Sequence, residues 1–224
     1  MIKLVAFDWN GTLFADTIAI FEADNEVIKF LGVKPVTFKT FLDNFDVPVK
    51  RYYMALGAKE KDLLKKSAQI ARIFHSYYMN RETKIRTRAH TRDLLKFLSK
   101  QKIDSIIISN HVTDRVNFQL ERLKLKTYFK SVLARADKEE AFKERTKGFM
   151  LKAYMKKSGL KSSEVLVVGD NIEEVHLARE LGTKVAAITH GNCSNARLKA
   201  AKPDYLINNL KEIIEIIKNL KFKI

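Results

Sequence analysis

The chain has 224 residues, of which 46% are hydrophobic, and it carries 42 Lys and Arg against 26 Asp and Glu. This composition excludes an intrinsically disordered chain, and the length indicates one large domain or a core with a smaller second unit. The single cysteine, Cys193, excludes an internal disulfide framework and fits a reducing compartment.

The N-terminus and the charge predict a cytoplasmic protein with an anionic partner. Residues 1–7 read as a strand and reach Asp8 too soon for a signal peptide. No run of 18 apolar residues occurs, so no membrane-spanning helix is expected. The formal net charge of +16 suits a phosphorylated metabolite or nucleic acid. Because the basic residues are spread evenly along the chain, a dedicated nucleic-acid surface is the less favoured partner. The oligomeric state is not predicted.

Apolar runs and amphipathic stretches alternate through most of the chain. Four short runs rich in Val and Ile predict strands at 4–7, 105–108, 165–168 and 185–188. Such continuous runs are typical of strands covered on both faces, as in a parallel sheet. Amphipathic stretches predict helices at 91–100, 112–123, 147–157 and 172–181. The pattern predicts an α/β fold, a doubly wound parallel sheet.

Residues 15–88 interrupt this alternation and predict an inserted helical unit. No strand-like run occurs there, and amphipathic stretches lie at 17–31, 38–45, 50–56 and 59–78. The many aromatic residues of this segment are expected to form mainly its own core. The predicted domains are therefore an α/β core, residues 1–14 and 89–224, and an all-helical cap, residues 15–88.

Polar residues follow the predicted strands where each strand ends. Asp8, Asn10, Gly11 and Thr12 follow the first strand, Ser109 and Asn110 the second, and Asp170, Glu173 and Glu174 the third. In an open parallel sheet these carboxyl ends meet at the edge that binds ligands. Carboxylates that share space need a cation to stay ionised, and few carboxylates with water and phosphate ligands are typical of Mg²⁺.

These motifs, in this order and together with Lys147 opening a helix, resemble hydrolases of the haloacid dehalogenase superfamily. The resemblance covers nearly the whole chain and lies close to the phosphoglycolate-phosphatase-like branch with an inserted helical cap. It implies a Mg²⁺-dependent phosphatase acting on a small phosphorylated metabolite, with a cap that closes over the site and selects the substrate. Phosphoglycolate is the substrate that the family resemblance alone offers.

The resemblance also implies roles for individual residues. Asp8 would attack phosphorus and form an aspartyl-phosphate, and Mg²⁺ would be held by Asp8, the main-chain carbonyl of Asn10, and Asp170. Glu174 would serve the metal site by ordering its waters or Lys147, with Glu173 as an open alternative. The expected phosphate-binding residues are Gly11, Thr12, Ser109, Asn110 and Lys147.

Lys147 has rivals for its role and Asn10 departs from the family pattern. Lys143 and Lys152 lie close to Lys147 in sequence and compete for the task of offsetting the site's negative charge. Family phosphatases normally carry Asp at the position of Asn10, where it protonates the leaving oxygen and then activates water. Asn cannot exchange a proton at neutral pH, so a slow enzyme, a preference for good leaving groups, or a borrowed acid such as His111 is expected.

Three alternatives remain open at this stage. Trp9 and the non-acidic Asn10 also resemble phosphonoacetaldehyde hydrolases, which cleave a carbon–phosphorus bond through a cap lysine, here Lys50. A second alternative is a catalytically weak module that binds a phosphorylated ligand or a protein. A third is a phosphatase acting on nucleic-acid ends, for which the best sequence feature is the basic set Lys84, Arg86, Arg88 and Arg92.

Overall fold

A computed structural model describes residues 1–136 and 147–221, except for the side chain of the last residue of that range. Six parallel strands form one sheet in the order β3-β2-β1-β4-β5-β6. The strands are β1 (Leu4–Phe7), β2 (Asp104–Val112), β3 (Ser131–Arg135), β4 (Val165–Gly169), β5 (Lys184–Ile188) and β6 (Tyr205–Ile207). The predicted α/β class with a doubly wound parallel sheet is confirmed.

Eleven α-helices accompany this sheet within the described residues. Five lie between β1 and β2: α1 (Thr17–Phe30), α2 (Phe38–Asn44), α3 (Val49–Ala55), α4 (Glu60–Lys65) and α5 (Ser67–Glu82). The other six are α6 (Thr91–Lys100), α7 (Thr113–Arg122), α8 (Lys147–Lys157), α9 (Ile172–Leu181), α10 (Asn195–Ala200) and α11 (Lys211–Lys221). In these described ranges no helix is long and apolar enough to cross a membrane.

Alternation along the buried strands divides the core between the two faces of the sheet. On β1, Val5 and Phe7 pack with residues of α6, α7 and α11, whereas Leu4 and Ala6 pack with residues of α8, α9 and α10. Successive strand side chains point to opposite faces, so a strand buried on both faces must be apolar throughout. Helices therefore cover both faces, as the continuous apolar runs predict.

The structure differs from the sequence prediction at several elements. The short strands β3 and β6 were not predicted. Each contains only three consecutive apolar residues, and most of their residues are only partly buried. Strand β2 continues to Val112 with a register irregularity after Ile108, so Ser109 and Asn110 lie inside the strand rather than after it. The stretch 59–78 is two helices separated at Lys66, the second of which runs on to Glu82.

The inserted helices α1–α5 have a buried core of their own. Its members include Val27, Phe41, Tyr52, Leu63 and Tyr78. The aromatic residues of the insertion thus mainly pack against one another, as expected. The division of the chain at residues 14 and 88 into core and cap domains stays a prediction.

Candidate functional site

The first two predicted site carboxylates follow neighbouring central strands. Phe7 at the end of β1 pairs with Val168 in β4, and the amide N–H of Asp8 donates to the carbonyl of Val168 at 2.8 Å. This register places Asp8 and Asp170 side by side at the carboxyl edge. The strand order reverses at β1, and such switch points are where open α/β sheets bind ligands.

Thr12 links the two carboxylates directly. Its buried hydroxyl lies 3.1 Å from Asp8 Oδ2 and 2.8 Å from Asp170 Oδ1. A hydroxyl carries a single proton, so Thr12 can donate to only one of these oxygens at a time. The other oxygen is then left to another hydrogen-bond donor or to a cation.

Lys147 lies at the centre of a buried group of carboxylates. Its Nζ is 2.7 Å from Asp8 Oδ1, 2.6 Å from Glu174 Oε1 and 3.1 Å from Glu173 Oε2. Burial alone would lower the pKa of Lys147, but Asp8, Glu173 and Glu174 together raise it well above its usual value. The ammonium group is therefore charged. Of the rivals, Lys152 is exposed and Lys143 lies outside the described residues.

The carboxylates outnumber their cation. Burial raises the pKa of Asp8 to about 7, against the lowering effect of Lys147, and raises the pKa of Asp170 to about 6. Burial also raises the pKa of Glu174 to about 7. Glu173 is the fourth buried carboxylate of the group, and Lys147 contacts three of the four. Such an excess of acids favours a bound cation.

The donor set fits Mg²⁺ rather than a softer metal. Asp8, Asp170 and the carbonyl of Asn10 offer oxygen ligands, and Asn192 Nδ2 donates to that carbonyl at 3.3 Å. No cluster of three or more His, Cys, Asp or Glu suited to enclosing a metal occurs in residues 1–136 and 147–221. Mg²⁺ typically uses one or two carboxylates and keeps water and phosphate as other ligands.

Both oxygens of Glu174 already have protein partners. Oε1 accepts from Lys147, and Oε2 accepts from the amide N–H of Asn171 at 3.2 Å, capping the start of α9. Glu173 Oε2 accepts from Asn110 Nδ2 at 2.7 Å as well as facing Lys147. Both glutamates thus contact Lys147, and the role of Glu174 in the metal site stays a prediction.

Gly11 fits the loop after β1 because no side chain could. Its φ of 74° lies in the left-handed region, and a Cβ there would come within 2.3 Å of Asp170 Oδ2. Arg88 donates to the carbonyls of Gly11 and Thr189, each at 2.7 Å, so its guanidinium faces the loop. This inward orientation removes Arg88 from the basic set proposed for nucleic-acid ends.

Asn10 is held by two residues that the sequence did not single out for the site. Its Nδ2 donates to Asp16 Oδ2 at 2.5 Å, and the Tyr78 hydroxyl donates to the same oxygen at 2.6 Å. Asp16 Oδ1 accepts from the amide N–H of Gly11 at 2.8 Å. Burial raises the pKa of Asp16 to about 6, although these hydrogen bonds oppose the shift.

The predicted phosphate-binding residues of β2 have partners within the protein. The buried Ser109 Oγ accepts from the amide N–H of His111 at 3.0 Å. Asn110 Oδ1 accepts from Arg135 at 3.3 Å, so Asn110 joins Arg135 to Glu173. The His111 ring lies edge-on to Tyr78 with centroids 5.7 Å apart. Contact of Ser109 and Asn110 with phosphate stays a prediction.

A cavity of about 170 Å³ connects these side chains with the inserted helices. Asp8, Asn10, Asn110, Lys147, Asp170 and Glu174 line its core side. Lys50 is absent from the described lining, and its Nζ lies 3.6 Å from Glu60 Oε1. The proposed Schiff-base lysine therefore loses its support.

Asp24 on α1 also lines the cavity, and its burial is expected to make the stability of the fold depend on pH. Burial raises its pKa to about 7, although the Tyr53 hydroxyl donates to Oδ1 at 2.5 Å. The folded pKa exceeds the unfolded value, so Asp24 holds its proton longer when folded and its contribution to stability falls as pH rises from about 4 to 7.

Replacing Asp24 with Asn is expected to remove this dependence. The difference in unfolding free energy, variant minus wild type, should rise by up to about 1.4 kcal/mol per pH unit between pH 4 and 7. Urea unfolding at several pH values measures it. A difference that stays flat for Asp24→Asn over this range would contradict the assignment.

Known proteins resemble this chain over nearly its full length. The family model described as haloacid dehalogenase-like hydrolase matches residues 5–188. A phosphoglycolate phosphatase of Vibrio parahaemolyticus is 25% identical over 223 residues, covering 96% of each chain. A glyceraldehyde 3-phosphate phosphatase of Methanocaldococcus jannaschii is 26% identical over 231 residues, covering 99% of each.

Solved structures agree with the fold. A haloacid dehalogenase-like family hydrolase from Streptococcus pneumoniae superimposes with a TM-score of 0.78 at 22% identity, covering 96% of this chain and 98% of the other. At that identity the likeness concerns the fold and not the substrate.

Proposed function

This chain belongs to the haloacid dehalogenase-like hydrolase family and is a phosphatase of that family, and we propose that it hydrolyses a small phosphorylated metabolite through an aspartyl-phosphate on Asp8. The observation that carries the proposal is the direct contact of Asp8 with both Lys147 and Thr12, beside Asp170. A nucleophilic carboxylate needs such a buried, positively balanced position to meet an anionic phosphate.

In the first step an Asp8 oxygen bonds to phosphorus while the bond from phosphorus to the ester oxygen breaks. The leaving oxygen takes up a proton and departs as the alcohol. Lys147 offsets the charge of Asp8 and the phosphoryl group as a fixed cation. In the second step water attacks the aspartyl-phosphate, which releases inorganic phosphate and restores the Asp8 carboxylate.

Asp8, Asp170 and the carbonyl of Asn10 are the proposed holders of Mg²⁺. When bound, the ion neutralises charge that would otherwise repel an anionic phosphate from an anionic nucleophile. Glu173 and Glu174 also contact the Lys147 ammonium group and are proposed to orient it. Ser109 and Asn110 are proposed to donate to the phosphoryl oxygens, and Gly11 and Thr12 shape the loop beneath them.

The site lacks a carboxyl group at position 10 to exchange protons with the leaving oxygen and with water. Asn10 occupies the position from which a carboxyl group would protonate the leaving oxygen, and an amide cannot do so. We therefore propose slow turnover of alkyl esters and faster turnover of esters whose leaving oxygen needs no proton. His111 lines the same cavity and is the candidate for a substitute acid.

Hydrolysis of acetyl phosphate with and without Mg²⁺ tests the proposed function. Acetate is a good leaving group, so the missing acid should matter little. We expect phosphate release with Mg²⁺ that falls at least about 10²-fold in excess EDTA and returns when Mg²⁺ is restored. Release that is equal in EDTA would contradict the metal requirement, and no release under either condition would contradict the phosphatase proposal.

A further inference from the structure

The cavity changes character away from the carboxylates. Its cap side is lined by apolar and aromatic side chains, which include Ile20, Phe45, Val49, Ile70, Phe74 and Tyr78. Phe74 and Tyr78 stack with centroids 5.5 Å apart and planes 15° apart. Such walls bury an apolar body well, and flat rings bind best against rings.

The described lining of this cap side carries no permanent positive charge. It contains no Lys or Arg, its basic side chain is His75, and the Lys and Arg of the lining, Lys147 and Arg135, belong to the core side. Lys147 is surrounded by carboxylates, and Arg135 contacts Asn110. A second anionic group at the far end of a substrate would lie among apolar walls beside Asp24, where an unpaired charge is costly.

One carboxylate oxygen of Asp24 lacks a hydrogen-bond donor among the described residues. The residue is 1% exposed, and Oδ1 accepts from Tyr53, but Oδ2 has no hydrogen-bond partner among the described residues. A buried acceptor left unpaired costs about 1–3 kcal/mol, so such groups normally have a partner or await one. Asp24 lines the cavity on the apolar side, where a ligand group would be its partner.

We propose that the substrate is the phosphate monoester of an apolar, ring-bearing alcohol whose far end donates a hydrogen bond to Asp24 through a hydroxyl or ammonium group. This inference rests on the proposed phosphatase function. The proposed substrate differs from those for which the relatives are named, phosphoglycolate and glyceraldehyde 3-phosphate, because neither of these carries an apolar body. Asp24 is the specificity-determining residue.

The test compares three benzyl esters whose leaving alcohols have nearly the same acidity, with phosphoglycolate as a further comparison. Benzyl phosphate, 4-(hydroxymethyl)benzyl phosphate and 4-carboxybenzyl phosphate differ only at the far end, and phosphoglycolate lacks the ring. For the wild type at pH 8, above the raised pKa of Asp24, we expect kcat/KM to be about tenfold higher for the hydroxymethyl than for the plain benzyl ester, as one hydrogen bond to a charged or buried group gives. The carboxy ester and phosphoglycolate should each be at least about tenfold worse than benzyl phosphate.

The variant Asp24→Leu should reduce the ratio of hydroxymethyl to benzyl ester to about one, and Asp24→Asn should also lower it if the leucine variant does not fold. Glu22→Leu, which removes a more exposed acid of the same helix, should keep the ratio. A wild-type preference for phosphoglycolate or the carboxy ester overturns the inference, as does a ratio unchanged in both Asp24 variants. Acetyl phosphate distinguishes failure of the substrate inference from failure of the proposed function. If acetyl phosphate is hydrolysed with Mg²⁺ while the benzyl esters do not follow the expected order, only the substrate inference fails. If acetyl phosphate is not hydrolysed, both fail.

Discussion

Replacing Asp8 with Asn is expected to reduce acetyl phosphate hydrolysis at least about 10⁴-fold, because an amide cannot form the aspartyl-phosphate. Asn has nearly the same shape and retains one oxygen that can accept from Lys147 or Thr12. The loss should therefore appear in kcat rather than in the ability to bind phosphate. Steady-state kinetics with Mg²⁺, together with calorimetric binding of inorganic phosphate, measures both quantities.

Loss of folding would not explain this result. Burial raises the pKa of Asp8 to about 7, so the folded state disfavours its charge, and its contribution to stability falls as pH rises from about 4 to 7. Because Glu173 and Glu174 still contact Lys147 in the variant, Asp8→Asn should remain folded at pH 8 without metal, as its melting temperature would show.

The exposed carboxylate of Asp93 provides the matched control, since Asp93→Asn should leave hydrolysis unchanged. An Asp8→Asn enzyme that is folded and keeps more than about a tenth of wild-type kcat would exclude Asp8 as the nucleophile.

The degree of burial of each strand explains which strands could be predicted from the sequence. Strands β1, β4 and β5 are almost entirely buried, so they had to be apolar without interruption, and their limits were predicted within one residue. Strands β3 and β6 are the sheet edges. Strand β3 has three consecutive apolar residues between Ser131 and Arg135, and β6 is only three residues long. Neither gives the run of four or more that marks a buried strand.

Site residues that directly follow a strand could be predicted from the sequence. Contacts between segments far apart in the chain could not. Asp8 and Asp170 could be paired because parallel strands end at one edge. The same rule applied to the end of β5 would have found Asn192, whose amide N–H donates to Asp170 Oδ2 at 2.5 Å. No local pattern joins Asn10 to Tyr78, which lies 68 residues away, or Gly11 to Arg88, which lies 77 residues away. Those contacts depend on how the inserted helices pack against the sheet.

Asn10 and Asp16 are hydrogen-bonded, so replacing the Asn10 amide with a carboxyl group would change the acidity of the pair. Asn10 Nδ2 donates to Asp16 Oδ2, and the buried Asp16 already has a pKa raised to about 6. Changing Asn10→Asp removes that donor and puts a second carboxyl group against Asp16. Two carboxyl groups in contact share a proton, so one of them becomes an acid near neutral pH. Such an acid is what the leaving oxygen of an alkyl ester requires.

Asn10→Asp is therefore expected to raise kcat for benzyl phosphate about 10²–10⁴-fold, the usual contribution of a positioned general acid and base. The gain for acetyl phosphate should be much smaller, because acetate leaves without a proton. The new carboxyl group can then accelerate only the later attack of water on the aspartyl-phosphate. The measurement is the ratio of the two gains under saturating Mg²⁺.

The double variant Asn10→Asp, Asp16→Asn is the sharpest control, because it exchanges the two side chains and restores an amide-to-carboxylate hydrogen bond between them. It separates the new carboxyl group from the crowding of two acids. If the single variant gains little and the double variant gains fully, the site needs an acid but does not tolerate the pair. Equal gains for benzyl phosphate and acetyl phosphate in both variants would mean that protonation of the leaving oxygen does not limit this enzyme, and the substitution at position 10 would then have to act on the hydrolysis of the aspartyl-phosphate.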